Sequence, residues 1–97
     1  MQKIFDPCIY IMASKTGTLY LGVTSDLEKR IWEHKNDVNE GFTKKYRCHT
    51  LIYFEHLDDM IEAIEREKEV KKWNRNKKEN LIKTINPLWE DLAKDWY

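Results

Sequence analysis

Apolar and polar positions divide this chain into short segments with different periods. Cys8 to Ala13 alternates loosely and is apolar enough for a strand. Ser14-Lys15-Thr16-Gly17 supplies a turn, with glycine at the position that favours a left-handed backbone. Thr18 to Val23 is β-branched and aromatic, which predicts the second arm of an antiparallel hairpin. Ser25 and Glu28 have capping-box spacing and predict a helix from near Asp26 to about Lys35, with Leu27 and Ile31 facing the core. Asn36 to Arg47 is polar around Gly41 and predicts a loop. Leu51-Ile52-Tyr53-Phe54 predicts a third strand beside the hairpin. Asp59 and Glu62 mark the start of a helix carried by Met60, Ile64, Val70 and Trp73 to about Asn74. A shorter helix follows over Lys77 to Ile85. Asn86-Pro87 then ends it and predicts a final helical piece over Leu88 to Trp96, packed back on the core. The expected fold is α+β, a small three-stranded antiparallel sheet flanked by helices in the order β-β-α-β-α-α.

A length of 97 residues predicts one domain over 1–97, with room for one modest core. Four Trp, five Tyr and three Phe can supply much of it. Two Cys and no secretory leader suggest a reducing, cytoplasmic setting. No apolar run approaches the roughly 20 residues that a membrane-spanning helix needs. The formal net charge is +0, which counts against simple electrostatic binding of a duplex. That balance conceals an asymmetry. Tyr53 to Glu67 is acidic, whereas Lys68 to Lys83 carries Lys68, Lys71, Lys72, Arg75, Lys77, Lys78 and Lys83 against only Glu69 and Glu79.

Candidate chemistry lies where a residue type does not suit its segment. Both hairpin strands carry a phenol, Tyr10 and Tyr20, which serve either as cross-strand packing or as a functional pair. Arg30 and His34 are one helical turn apart. Such a pair commonly sits on a solvated face, but the guanidinium fork matches two phosphate oxygens and imidazole passes protons near neutral pH. Glu67 interrupts the apolar stripe of Met60, Ala63, Ile64 and Val70. A half-buried carboxylate there needs an ion pair with Lys71, at i+4, or a metal such as Mg²⁺. The basic stretch places Lys71, Lys72, Arg75 and Lys78 where they either clamp a phosphate backbone or form a solvated helix face. His34, His49, His56, Cys8 and Cys48 lack the paired spacing of a zinc site. No P-loop, dinucleotide fingerprint or nucleophile elbow is present.

These residues, in this order, resemble the GIY-YIG nuclease superfamily. Cys8-Ile9-Tyr10 stands where the first triplet belongs and Tyr20-Leu21-Gly22 where the second does. Val23-Thr24-Ser25-Asp26-Leu27-Glu28-Lys29-Arg30 looks like the run to the family's arginine, and His34 sits where members carry His or Tyr. Gly41-Phe42-Thr43-Lys44-Lys45-Tyr46, Glu65-Arg66-Glu67-Lys68 and Asn86-Pro87-Leu88-Trp89 resemble the small stand-alone bacterial branch, so the likeness spans nearly the whole chain. It implies a hydrolase that cuts nucleic-acid phosphodiesters, DNA first, in repair or in processing of structured strands. By that resemblance Glu67 holds Mg²⁺ or Mn²⁺, and Arg30 stabilises charge on the phosphate. Tyr10 deprotonates or orients the attacking water, assisted by Tyr20 and His34. Lys44 and Lys45 join the basic residues as nucleic-acid contacts. The chain departs from the pattern in Cys8, which replaces a glycine, and in Val23, which stands where some repair members carry Lys. Asn80 is the candidate for an asparagine that several members place late in the site. With no room for a separate specificity domain, specificity would need a partner protein or a homodimer. Two rivals use the same scaffold differently: a non-catalytic nucleic-acid-binding module, and a protein-interaction domain presenting Trp89 and Trp96.

Overall fold

A computed structural model describes residues 6–97; residues 1–5 of the expected 1–97 unit lie outside the described residues. The elements are β1 (Cys8–Ala13), β2 (Leu19–Thr24), α1 (Leu27–Lys35), α2 (Phe42–Lys45), β3 (Thr50–His56), α3 (Met60–Lys71) and α4 (Arg75–Lys83). The three strands form one antiparallel sheet in the order β2-β1-β3. The α+β architecture expected from the pattern is therefore the one observed, and no described helix is long and apolar enough to cross a membrane.

β1 is buried along its whole length because helices cover both faces of the sheet. Cys8, Tyr10 and Met12 face α1, packing with Leu27, Ile31, Leu51 and Ala93. Ile9, Ile11 and Ala13 face the other way, toward Val70 of α3 and Ile82 of α4. A strand covered on both sides becomes an almost continuous apolar run, which explains why its alternation is loose in the sequence. The hairpin closes as expected: Ser14 Oγ accepts from the Thr18 amide at 2.9 Å, and Gly17 takes φ +91°.

Local details differ from the sequence reading where side chains compete for backbone groups. The first helix is capped by Asp26, whose Oδ1 accepts from the Lys29 amide at 3.2 Å, one residue beyond the expected Ser25 cap. The expected polar loop contains the single turn α2, anchored by buried Thr43. One turn is too short to show a hydrophobic period. Asp59 caps α3 as the spacing predicted, at 2.8 Å from the Glu62 amide. That helix ends at Lys71 instead of near Asn74, because Asn74 caps α4 by accepting from the Lys77 amide at 2.9 Å. Ala63 and Val70 are its buried contacts, whereas Ile64 is exposed, so the core-facing stripe runs through Glu67.

No helix follows Pro87. The side chain of Asn86 takes over backbone bonding: Nδ2 donates to the carbonyls of Ile52 (3.0 Å) and Glu90 (2.8 Å), and Oδ1 accepts from the Glu90 amide (3.0 Å). Trp89 adopts φ +55°, which breaks a helical path. The segment nevertheless packs back on the core, through Leu92, Ala93 and Trp96, and Asp91 Oδ1 accepts from the Leu51 amide at 3.2 Å. Asn86 is 4% exposed, so its loss would orphan buried groups on both β3 and the tail. Asn86→Ala should lower the unfolding free energy by about 1–3 kcal/mol in a denaturant melt. An unchanged midpoint would show that the Asn86 side-chain hydrogen bonds contribute no net stability.

Candidate active site

Tyr10 sits at the centre of β1, opposite Gly22 on β2. A Cβ added at Gly22 would lie 2.4 Å from both Cζ and Oη of Tyr10. The phenol thus lies flat across the strand at the one position that has no side chain. Tyr20 pairs with Met12, so the same parity brings its ring to the same face, 6.3 Å from that of Tyr10. The two phenols share a face, as a site built from both would require.

α1 brings the remaining groups. Leu27, Ile31 and His34 repeat at helical spacing and are all buried, so His34 extends the core stripe. Its Nε2 lies 2.8 Å from Tyr10 Oη, and its Nδ1 lies 2.9 Å from Thr43 Oγ1. Both ring nitrogens are therefore engaged, one by the phenol and one by the threonine of α2. The tautomer with hydrogen on Nδ1 donates to Thr43 and leaves Nε2 to accept the Tyr10 hydroxyl. Thr43 is the residue that reading the sequence for chemistry missed, although it lay within the Gly41–Tyr46 run. Its hydroxyl gains meaning only once the fold puts it behind the imidazole.

Charge arranges the protonation states. Burial lowers the pKa of His34, and the nearby Arg30 cation lowers it further, which keeps the ring neutral and able to accept a proton. Burial raises the Tyr10 pKa and Tyr20 adds to the rise, while Arg30 opposes it. Burial pulls the Arg30 pKa down, but Tyr10, Glu33 and Tyr20 together more than offset it, so the guanidinium stays charged. Arg30 also meets Glu33, with Nε 3.3 Å from Oε1, and remains substantially exposed at the mouth of the site. Tyr10, Tyr20, Arg30 and His34, far apart along the chain, converge here.

Glu67 stands apart from this cluster. It lies on α3, which packs against β1 and β2 from the opposite face of the sheet. Arg66 fixes the rotation of α3 by reaching Glu55 of β3 with Nε at 2.8 Å and Nη2 at 3.2 Å. The adjacent Glu67 side chain is 16% exposed, and its Oε1 is 3.6 Å from Lys71 Nζ. The expected i,i+4 pair is present, but it is long and its amine is exposed. A half-buried carboxylate with one loose ion-pair partner among the described residues retains oxygen capacity for a hard cation, so Glu67 fits a Mg²⁺ ligand. α3 packs on β1 and on the edge strand β2, and the Tyr10 ring lies against Gly22 of that same edge strand.

The structure also assembles a group that the sequence spacing had argued against. Cys8 and His56, joined by Asp6, bring ligand-type atoms within 4.8 Å of one another. Asp6 Oδ1 is 2.7 Å from His56 Nδ1, and burial with the Asp6 charge pushes the Cys8 thiol up to about 12. A thiol so reluctant to ionise is held as a core side chain.

The candidate nucleic-acid contacts are spread over two regions. Lys44 pairs with Glu40 at 2.7 Å, and Lys45 lies 5.3 Å from the centre of the Tyr46 ring; both are on α2 beside His34. In the second region, Lys71 meets Glu67, and Arg75 meets Glu79 at 2.8 Å and lies 5.8 Å from the Trp89 ring. Lys72 is exposed and Lys78 half-buried. Asn80 is exposed on α4.

Residues 6–80 match the family model described as the GIY-YIG catalytic domain. The chain is 45% identical over 74 residues to a UPF0213 protein of Staphylococcus saprophyticus, covering 76% of this chain and 90% of the relative. It is 37% identical over 87 residues to a UPF0213 protein of Clostridium perfringens, covering 90% and 94%. The fold superposes on the solution structure of a UPF0213 protein of Bacillus halodurans with a TM-score of 0.58 at 27% identity, covering 93% of this chain and 97% of that one.

If Gly22 is bare because Tyr10 occupies its space, Gly22→Ala should cost about 1–3 kcal/mol of stability, as overpacking does. In a Tyr10→Leu background the same substitution should cost far less. A double-mutant cycle read by thermal melts measures the coupling, and additive effects would refute the crossing.

Proposed function

This chain belongs to the GIY-YIG family, a nuclease superfamily, and on that premise we propose that it is a divalent-metal-dependent endonuclease hydrolysing phosphodiester bonds in DNA. The supporting observation is the hydrogen-bonded line Tyr10–His34–Thr43, with Arg30 at its mouth and Tyr20 alongside. A phenol is a poor base at its ordinary pKa of about 10, and burial makes it poorer still. Tyr10 therefore acts best by passing its proton onward. Tyr10 is fully buried, so water reaches its hydroxyl only when substrate opens the Arg30–Tyr20 mouth. As that water attacks phosphorus and gives up a proton to the phenol oxygen, the phenol proton moves to Nε2 of neutral His34, and the leaving strand's oxygen takes a proton from solvent. Thr43 accepts from Nδ1–H and stabilises the imidazolium that results. Arg30, always charged, faces the charge that develops on the phosphate. Tyr20 walls the cleft and fixes the pose of the first ring. Glu67, on the far face of the sheet, would hold a Mg²⁺ or Mn²⁺ ion, which would supply Lewis-acid stabilisation to a phosphate seated at the β2 edge, where α3 and the Tyr10 ring both pack. Lys44, Lys45, Lys71, Lys72, Arg75 and Lys78 would contact the phosphate backbone. Repair or processing of structured DNA suits a domain whose site carries no evident base reader. A partner protein or a second copy would then provide any sequence preference.

Nicking of supercoiled DNA in Mg²⁺ or Mn²⁺ tests the proposal. Glu67→Gln and Arg30→Ala should abolish cleavage while melting temperatures stay close to wild type. Folded wild type that binds DNA yet cuts no supercoiled, single-stranded or branched substrate with either ion would instead indicate a binding module.

The proton route also sets a pH dependence. The folded-state pKa of His34 is lowered from an ordinary value of 6.5, so the imidazole remains an acceptor at and above that pH. The acid limb of the cleavage profile should fall below about pH 6.5, and His34→Ala should slow cleavage by roughly 10²-fold or more. The same shift affects stability. The unfolded chain binds the proton first as pH drops, so the contribution of His34 is complete above the unfolded pKa and declines from there toward the folded pKa. A cleavage rate unaffected by His34→Ala would rule out the relay.

A further inference from the structure

The catalytic face carries a feature that the proton route does not use. Tyr20 is not the last ring in the cleft: Phe42 of α2 lies 5.8 Å from it, and Tyr46 lies 4.6 Å from Phe42. His34 closes the inner end, 5.5 Å from Tyr20. The rings form a continuous row from the buried hydroxyl of Tyr10 outward to the surface. Phe42 is 43% exposed and Tyr46 44% exposed, so the outer members present apolar area to water.

Two adjacent exposed rings on one helical turn make a small contiguous apolar patch on a polar surface, the kind of feature that marks a contact site. Their setting identifies the occupant. Lys44 and Lys45 lie between them on the same turn, Arg47 follows and is exposed, and Lys45 sits near the Tyr46 ring. Lys44 is paired with Glu40, but Lys45 and Arg47 flank Tyr46, so flat rings and cations share one turn and match a strand that offers both flat bases and phosphates. α2 is also held in place: Thr43 bonds to His34, and the Cys48 amide donates to the Thr43 carbonyl at 2.9 Å. The rings are thus pre-ordered and lose little freedom on binding.

We propose that Phe42 and Tyr46 form a stacking platform for unpaired bases of a DNA strand entering the Tyr10–His34 cleft. The inference rests on the nuclease reading for the placement of that strand, and it narrows the substrate to DNA with an unpaired segment at or beside the cut. A fully paired duplex hides its base faces in its own stack and cannot use the rings.

The test is binding of single-stranded and duplex DNA of equal length, without divalent ions so that nothing is cleaved. A fluorescent purine analogue in the single strand reports stacking directly. Phe42→Ala and Tyr46→Ala should each weaken single-strand binding on the order of five- to a hundredfold and remove the quenching of the analogue. Duplex binding should change little. Phe42→Tyr and Tyr46→Phe, which keep a ring, should bind as wild type. Lys45→Gln should instead weaken both substrates and flatten the salt dependence. Alanine variants that bind single strands as wild type, or that lose both substrates equally, would overturn the platform. Intact stacking with no cleavage under any metal would refute the nuclease reading alone.

Discussion

The candidate site depends on one steric allowance, the passage of the Tyr10 ring over Gly22. A side chain at residue 22 would occupy the space of the phenol and its hydroxyl. With that space open, a ring rooted in the central strand reaches across the sheet, and its oxygen arrives within hydrogen-bonding distance of His34. The imidazole in turn makes use of Thr43, and Thr43 gives α2 its place. A missing Cβ on an edge strand thereby organises groups from three separate elements.

Burial supplies the electrostatics. β1 is covered on both sides, so the Tyr10 hydroxyl and the His34 ring lie where a charge is costly and a hydrogen bond is strong. A neutral imidazole next to a phenol suits that environment, and the guanidinium of Arg30, at the solvent edge, keeps its charge. The hydrogen-bonded phenol and imidazole lie inside and the fixed cation lies at the mouth.

Legibility in the sequence followed how local each feature was. The strands, the Gly17 turn and the Asp59 cap depend on a few neighbouring residues, and they formed as read. The Tyr10, Tyr20, Arg30 and His34 set was legible because each residue is chemically odd for its segment. α2 was not, because a single turn shows no period and is held by contacts with Tyr20 and His34. The helix expected after Pro87 failed for a related reason: Asn86 satisfies β3 and its own following turn at once, and that arrangement depends on where β3 lies. Cys8 and His56 have no metal-ligand spacing in the chain, yet neighbouring strands bring them together.

The sequence by itself determined the element types, the sheet and the residues with chemical potential, because propensity, periodicity and residue chemistry act over a turn or a strand. Only the tertiary structure decided their relations. Strand register put both phenols on one face, the rotation of α1 turned His34 inward, and the packing of α3 set Glu67 across the edge strand from the rings. Those outcomes depend on distances between residues remote in the chain, which burial and steric fit select and local pattern does not encode.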